Sequence, residues 1–162
     1  MPSQDYISAQ EVADLVLADP RRDDFLILDV RSSDFYGGNL PGAVNLTTDK
    51  FSSPSKVESV IKRYISTRPG LRLVIVHCMR SQTRGPYVAH LVSHSPALPS
   101  TVEVKVLKGG FQGWYREFKG RRELFENLEG QDEQEWEDVV KANEGEQGEA
   151  RDSRELRERL AR

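Results

Sequence analysis

The chain has 162 residues, of which 37% are hydrophobic and 30% charged, and its formal net charge is −3. This length predicts one domain, and the slightly acidic balance gives no reason to expect binding to nucleic acid or to an anionic membrane. The apolar runs are far shorter than the ~20 residues of a membrane span, and the N-terminus lacks the basic and apolar regions of a signal peptide. We therefore expect a soluble protein of the cytoplasm, the nucleus or both.

The first half of the sequence alternates between helix and strand signals. Ser8 and Glu11 have the spacing of a capping box, and apolar residues follow at helical spacing until Pro20. Phe25–Leu28 is a short apolar run typical of a strand that is buried on both faces. Glycines and prolines then mark a turning loop, after which Ala43–Leu46 is a second candidate strand.

The second half continues this alternation. Pro54 begins a predicted helix, and Leu71–Val76 is another strongly apolar strand. A loop then leads into a predicted helix over Arg84–His94. Valines alternate with charged residues over 102–106, which predicts a half-exposed edge strand. Three glycines in the segment 109–113 indicate a turn.

Alternating strands and helices predict an α/β domain with a mostly parallel sheet. Ligands in such sheets bind at the carboxyl ends of the strands. Asp29 and Cys78 each follow a predicted strand closely, so we expect both at that edge. The composition becomes more charged near Leu128. We therefore expect residues 1–128 to form the folded domain and residues 129–162 to form a charged extension, either disordered or helical.

The segment from His77 to Gly85 is the most informative part of the sequence. It places Cys78 after a buried strand and Arg84 at the start of a helix. A short loop entering a helix can turn several backbone N–H groups inward, and the helix N-terminus adds partial positive charge. Such a cradle binds a tetrahedral oxyanion and favours the thiolate form of a cysteine. Arg84 can grip two anion oxygens, and a thiolate beneath a held phosphate can attack it in line.

Three motifs resemble those of a known family. His77-Cys78-x(5)-Arg84 resembles the signature of cysteine-based phosphatases. Leu28–Arg31 followed by Leu40–Leu46 resembles the start of rhodanese-fold domains, and Gly109–Trp114 resembles their closing motif. The resemblance implies a five-stranded, mostly parallel sheet flanked by helices. It extends to the cell-cycle dual-specificity phosphatases of this fold and their small fungal and plant relatives, some of which reduce arsenate.

The resemblance also implies roles for individual residues. Cys78 is the expected nucleophile and Arg84 the expected anion clamp. The length of the loop between them matches phosphatases rather than sulfurtransferases. The residues expected to form the oxyanion-binding loop are Met79, Arg80, Ser81, Gln82, Thr83 and Arg84.

The neighbours of this loop leave alternatives open. Cell-cycle phosphatases of this fold carry a glutamate within the loop as a proposed proton donor, and this chain has no carboxylate there. Asp29 and Asp34 are candidates for the general acid by position, although Asp29 alternatively caps the loop or pairs with Arg31. His77 is expected to lie in the core and order the loop by hydrogen bonds. Arg80 is either a solvated charge or a source of positive potential at the mouth of the loop.

No metal site is expected. His90 and His94 have helical i,i+4 spacing, but no further histidine or cysteine accompanies them to complete a ligand set.

The expected activity is that of a protein tyrosine or dual-specificity phosphatase, which forms a phosphocysteine on Cys78 and needs no cofactor. One alternative is an arsenate reductase whose electrons come from external glutathione with glutaredoxin, since Cys78 is the only cysteine. A non-catalytic module that binds a phosphorylated partner is an alternative of another class, and sulfurtransfer is a fourth. The expected partner is a phosphoprotein or a small oxyanion, with glutaredoxin for the reductase. The sequence does not indicate an oligomeric state.

Overall fold

The computed structural model describes residues 5–18, 23–128 and Asp138, so the predicted extension 129–162 lies outside the described residues except at that one position. Within the described residues the strands are β1 (Tyr6–Ile7), β2 (Phe25–Asp29), β3 (Val44–Asn45), β4 (Leu73–His77) and β5 (Glu103–Leu107). They form one parallel sheet in the order β1-β5-β4-β2-β3. The predicted α/β domain with a five-stranded parallel sheet is confirmed.

The helices of the described residues are α1 (Ala9–Ala18), α2 (Pro54–Val60), α3 (Arg84–Ser93) and α4 (Gly110–Phe118). α2 continues as a π-helical segment over Ile61–Ile65, and 3-10 turns lie at Thr48–Phe51 and Arg122–Leu124. None of the helices in the described part of the chain is long and apolar enough to cross a bilayer.

The capping box predicted for α1 is present. The hydroxyl of Ser8 accepts a hydrogen bond from the N–H of Glu11, and the Glu11 carboxylate accepts one from the N–H of Ser8, each at 3.1 Å. These two bonds satisfy N–H groups that the start of a helix would otherwise leave unpaired.

Both faces of the sheet are covered, which explains the continuous apolar runs of β2 and β4. Alternate residues of a strand point to opposite faces. Leu26 and Val74 therefore pack with the side chains of α2 and α3, while Ile27 and Ile75 pack with those of α1 and α4. The two hydrophobic clusters stabilise the central strands from both sides and fix the positions at which these strands end.

Two local predictions were wrong. The strand predicted at the edge of the sheet is β5, and it lies between β1 and β4. β1 has only two residues, so it gave no strand pattern, yet it pairs with β5 at Val106 and Leu107. The turn predicted over 109–113 ends at Gly109, and residues 110–113 are instead the start of α4.

The carboxyl ends of β2 and β4 lie side by side, since Asp29 pairs in register with His77. The loops that follow these two strands therefore meet at one edge of the sheet. This edge is where the sequence predicted ligand binding.

Candidate active site

The loop after β4 wraps around the sulfur of Cys78. The Cys78 side chain is buried, and its Sγ accepts hydrogen bonds from the backbone N–H groups of Ser81 at 3.2 Å and Gly85 at 3.3 Å. Ser81 has a φ of 55°, in the left-handed region, which turns the chain back toward the sulfur. Gly85 belongs to the first turn of α3, so the partial positive charge of the helix N-terminus lies beside Sγ. The two backbone N–H donors and the dipole of α3 together favour a negative charge at the Cys78 sulfur.

The first turn of α4 holds the other side of the loop. The N–H of Phe111 donates to the carbonyl of Cys78 at 3.0 Å, and the N–H of Gln112 donates to the carbonyl of Met79 at 2.9 Å. The carbonyl and the N–H of a peptide unit point in opposite directions. Fixing these two carbonyls against α4 therefore directs the N–H groups of the same peptide units away from α4, toward the inside of the loop. This contact was not predicted from the sequence, and the adjacent glycines of the closing motif are the one sequence feature that fits such a close approach of two backbones.

Gly110 allows α4 to approach the loop this closely. A Cβ atom at position 110 would lie 2.6 Å from the carbonyl oxygens of Cys78 and Met79 and 2.7 Å from the nitrogen of Arg80. Gly110 also has a φ of 59°, which side chains other than that of glycine rarely permit. Glycine is therefore required at this position both for space and for backbone conformation.

Several donors along the loop are buried and lack a hydrogen-bond partner among the described residues. They are the hydroxyls of Ser81 and Thr83 and the Nε of Arg84. Buried polar groups in folded proteins nearly always have a partner, so a run of unpaired donors along one short loop fits a site for a ligand rich in acceptors. Met79 contributes only its backbone here, since its side chain packs against the α1 and α4 side of the sheet.

Arg84 forms a two-pronged ion pair with Asp34. Nη1 of Arg84 lies 2.9 Å from Oδ1 of Asp34, and Nη2 lies 2.5 Å from Oδ2. Burial tends to raise the pKa of Asp34, but the hydrogen bonds and charge of Arg84 outweigh it and lower that pKa. Burial tends to lower the pKa of Arg84, but the hydrogen bond with Asp34 and the charge of Cys78 raise it. Both groups are therefore charged at neutral pH, and Asp34 is a poor proton donor there.

Asp29 pairs with Arg31, as one interpretation of the sequence expected. Both side chains are buried, and Asp29 accepts hydrogen bonds from the backbone N–H, Nε and Nη2 of Arg31 at 2.8–3.1 Å. Arg31 also donates to the carbonyl of Gly38 at 2.9 Å and stacks over the ring of Phe111 at 4.2 Å. The pair therefore ties the loop after β2 to the start of α4. The role of Asp29 as a proton donor stays a prediction.

His77 lies in the core beneath the loop. Its Nδ1 hydrogen-bonds to the carbonyl of Cys78 at 3.0 Å, and its Nε2 lies 3.7 Å from the carboxylate of Asp29. Burial lowers the pKa of His77, and the charge of Arg31 lowers it further, although Asp29 and the bond to Cys78 act in the opposite direction. The ring is therefore neutral. Because a carbonyl only accepts, the proton lies on Nδ1.

Two further predictions concern charged and metal-binding groups. Arg80 is only 6% exposed, so its interpretation as a solvated charge was wrong, and it brings a buried positive charge to the loop. His90 and His94 stack on each other along α3, with ring centroids 4.1 Å apart. Within the part of the chain that the structure describes, no group of three or more potential ligand side chains is arranged to hold a metal ion.

Comparison with known proteins gives relatives of two kinds. The dual specificity phosphatase Ibp1 of Schizosaccharomyces pombe is 27% identical over 146 residues, covering 78% of this chain and 99% of the relative. Arsenical-resistance protein 2 of Saccharomyces cerevisiae is 26% identical over 114 residues, covering 67% of this chain and 86% of the relative.

A solved structure and a family match agree with this result. The structure of a yeast protein tyrosine phosphatase of the Rhodanese family superposes with a TM-score of 0.69 at 25% identity, covering 82% of this chain and 99% of that one. Residues 8–117, which include the Cys78 loop and nearly all of α4, match the family described as Rhodanese-like domain. The chain belongs to the rhodanese-like domain family.

Proposed function

We propose that this protein is a cysteine-dependent phosphatase in which Cys78 is the nucleophile and Arg84 binds the phosphate. The arrangement around Sγ carries the proposal: two backbone donors, the start of α3, and buried unpaired donors all lie on one short loop. A tetrahedral dianion supplies the acceptors that these donors lack. The phosphatase names of a relative that is covered over nearly its whole length and of the similar solved structure support this proposal.

The reaction proceeds in two displacements. The thiolate of Cys78 attacks phosphorus while the ester P–O bond breaks, and the leaving oxygen takes up a proton. Water then attacks the phosphocysteine, the S–P bond breaks, phosphate leaves, and the thiolate is regenerated as the proton of water passes to solvent. The N–H groups of the loop and Arg84 stabilise the charge that develops on the phosphoryl oxygens. Cys78 is buried, so the substrate reaches Sγ only when the side chains around the loop move apart.

The composition of the loop favours aryl phosphates. Positions 79–83 contain no carboxylate, and Asp34 is held as a carboxylate by Arg84. An unassisted leaving oxygen departs more easily from phosphotyrosine, whose phenol has a pKa of about 10, than from phosphoserine, whose alcohol is far less acidic. We therefore propose phosphotyrosine as the preferred substrate class and slower hydrolysis of phosphoserine and phosphothreonine.

The test measures phosphate release from 4-nitrophenyl phosphate and from a phosphotyrosine peptide. Cys78→Ser should lower kcat by about 10⁴-fold or more, because a serine hydroxyl is a far weaker nucleophile than a thiolate, while phosphate binding is retained. Since Cys78 is the only cysteine, alkylation with iodoacetamide should also inactivate the wild-type enzyme, and inorganic phosphate should slow this inactivation. Turnover by Cys78→Ser at the wild-type rate would refute the mechanism.

Arsenate reduction is a second candidate, favoured by the likeness to arsenical-resistance protein 2. Arsenate has the shape and charge of phosphate, so the same cradle suits it. Cys78 would attack arsenic with loss of water, and a first glutathione would attack the Cys78 sulfur, so that the S–As bond breaks, arsenite leaves and a mixed disulfide between Cys78 and glutathione remains. A second glutathione would reduce this disulfide, which regenerates the Cys78 thiol and yields oxidised glutathione. Because the chain has no second cysteine, we propose glutaredoxin as the partner that resolves the mixed disulfide between Cys78 and glutathione.

Arsenite formation with glutathione and glutaredoxin, assayed beside phosphate release, separates the candidates. Cys78-dependent phosphate release alone identifies a phosphatase, and Cys78-dependent arsenite formation alone identifies a reductase. If neither appears while phosphate still binds, the protein is a binding module for phosphorylated partners.

A further inference from the structure

The ion pair with Asp34 uses only one edge of the Arg84 guanidinium. A guanidinium has two edges that can grip a pair of oxygens, one formed by Nη1 and Nη2 and the other by Nε and Nη2. Asp34 occupies the first edge through bonds of 2.9 and 2.5 Å. Nε, which belongs to the second edge, is buried and has no hydrogen-bond partner among the described residues. One donor pair is therefore held and the other is open.

The guanidinium belongs to the same cradle as the nucleophile. Arg84 is the first residue of α3, and the next residue, Gly85, donates its N–H to Sγ of Cys78. The charge of Cys78 contributes to raising the pKa of Arg84, so the guanidinium lies within electrostatic reach of the sulfur. An oxyanion bound at Sγ would therefore find the open edge of Arg84 among its neighbours.

Asp34 is itself fixed in place. Its Oδ1 accepts a hydrogen bond from the N–H of Ser32 at 3.0 Å, and its backbone carbonyl lies 3.5 Å from Nη1 of Arg31. Arg31 in turn is held by the buried carboxylate of Asp29. The Asp34 side chain is only 20% exposed. A carboxylate that is held at Oδ1 by Ser32, in a residue whose backbone carbonyl contacts Arg31, is suited to orient a partner.

We propose that Asp34 is a positioning residue, which holds Arg84 by its Nη1/Nη2 edge so that the Nε/Nη2 edge receives the substrate oxyanion. This inference rests on the proposed function of the Cys78 loop. In the opposite arrangement, Asp34 is an internal anion that the substrate must displace from Arg84. The two arrangements predict opposite effects of Asp34 on oxyanion binding. A positioning residue strengthens oxyanion binding, whereas a competing anion weakens it.

The experiment measures the affinity of inorganic phosphate by calorimetry, together with kcat and KM for 4-nitrophenyl phosphate. Asp34→Asn and Asp34→Ala should each weaken phosphate binding and raise KM by about tenfold, with a smaller effect on kcat. Asp34→Glu should recover part of the affinity. Asp14→Asn is the matched control, because it removes the same charge from the exposed side of α1, and its phosphate affinity should equal that of wild type. Tighter or unchanged phosphate binding in Asp34→Ala would overturn the proposal.

A double-mutant cycle excludes a purely structural effect. Arg84→Lys removes both edges, so adding Asp34→Ala to it should change the phosphate affinity by less than about twofold. An equal loss from Asp34→Ala in both backgrounds would show that Asp34 affects phosphate binding independently of Arg84 and would overturn the proposal. If Arg84→Lys abolishes binding but the Asp34 variants bind like wild type, positioning fails and the proposed function stands. If wild type neither binds phosphate nor turns over substrate, both fail.

Discussion

Asp29 is the last residue of β2 and Asp34 lies in the loop after it, but their arginine partners give them different environments. Asp29 is fully buried with Arg31, whereas Asp34 is partly exposed and contacts Arg84. Water does not reach the first pair, so removing either charge leaves the other unpaired in the protein interior. The second pair lies within the cradle, where Nε of Arg84 is left without a partner among the described residues. Position relative to the strand did not distinguish these two roles, because the choice of arginine depends on the path of the loop.

Asp29→Asn should therefore act on stability. We expect the free energy of unfolding in urea to fall by about 3–5 kcal/mol, because Arg31 would be left buried without a full counter-charge. Glu58→Gln is the control, since it breaks an exposed ion pair with Lys62 and should cost less than about 1 kcal/mol. The pH–rate profile of the remaining folded Asp29→Asn enzyme should keep its shape. If the pH–rate profile of Asp29→Asn loses its alkaline limb while the stability is unchanged, Asp29 is instead the proton donor.

His77 makes stability depend on pH near neutrality. Its pKa in the folded protein is lowered from about 6.5, chiefly by burial, so the unfolded chain takes up the proton first as pH falls. Lowering the pH stabilises the state that binds more protons, which here is the unfolded state. The free energy of unfolding should therefore fall as pH drops below about 6.5 and level off below the pKa of the folded state.

Urea unfolding of His77→Asn between pH 7.5 and 5 checks this expectation. The amide of asparagine can still donate to the Cys78 carbonyl but does not titrate, so the decrease below pH 6.5 should become smaller. His94→Asn, at the exposed C-cap of α3, serves as the control and should follow wild type. Equal losses of stability in His77→Asn and wild type would show that other groups cause the dependence.

At the scale of elements, the start of α4 is the part that sets the conformation of the Cys78 loop. Gly110→Ala should force the loop carbonyls of Cys78 and Met79 away from their present positions, since the new Cβ would lie 2.6 Å from each. We expect a loss of about 1–3 kcal/mol in stability and a fall in kcat/KM of at least about tenfold, because the loop N–H groups would turn with the carbonyls.

Gly120→Ala provides the matched control for this substitution. Gly120 also has a positive φ, of 89°, but a Cβ there meets no atom within 4 Å. The control thus carries the backbone strain without the collision. Its stability should fall modestly and its kcat/KM should stay at the wild-type value. An equal fall in kcat/KM for both variants would refute the role of α4 in shaping the loop.

The elements also show how far local sequence patterns reach. The Cys78 loop was predictable because its strand, its cysteine and the start of its helix are consecutive in the sequence. The contact of α4 with the loop joins Phe111 to Cys78, and the ion pair joins residues 50 positions apart, Asp34 and Arg84. Neither contact leaves a periodic pattern in the sequence from which it could be predicted. β1 escaped prediction for a different reason, since two residues are too few to show strand alternation.

At the scale of the whole molecule, the chain after α4 returns to the loop that follows β2. The family match ends at residue 117, but Glu126 exchanges two backbone hydrogen bonds with Asn39, each at 2.9 Å. The indole N–H of Trp114 donates to the carbonyl of Leu124 at 2.9 Å. This return segment, residues 119–128, thus packs on the domain as far as Leu128.

Phe125 is a buried apolar anchor of this segment. Its ring packs edge-on against those of Phe111 and Tyr115, with centroids 6.2 and 6.0 Å apart. Phe125→Ala should lower the free energy of unfolding by about 3–5 kcal/mol, the usual cost of emptying a buried aromatic site. Leu17→Ala, which truncates a side chain that is 43% exposed, should cost less than about 1 kcal/mol. Similar losses in the two variants, measured by urea unfolding, would show that the segment is not part of the cooperative core.

The hydrogen bonds from α4 to the Cys78 loop also limit how the length of this loop can change. Positions 78 and 79 are pinned through their carbonyls, and positions 81 and 85 through their N–H groups on the sulfur. An insertion or deletion at these pinned positions would break the contacts, so we expect a cradle for a larger or smaller anion to arise by gain or loss of residues between positions 81 and 85. Variation in loop length, whether natural or engineered, is thereby confined to the stretch that faces the ligand.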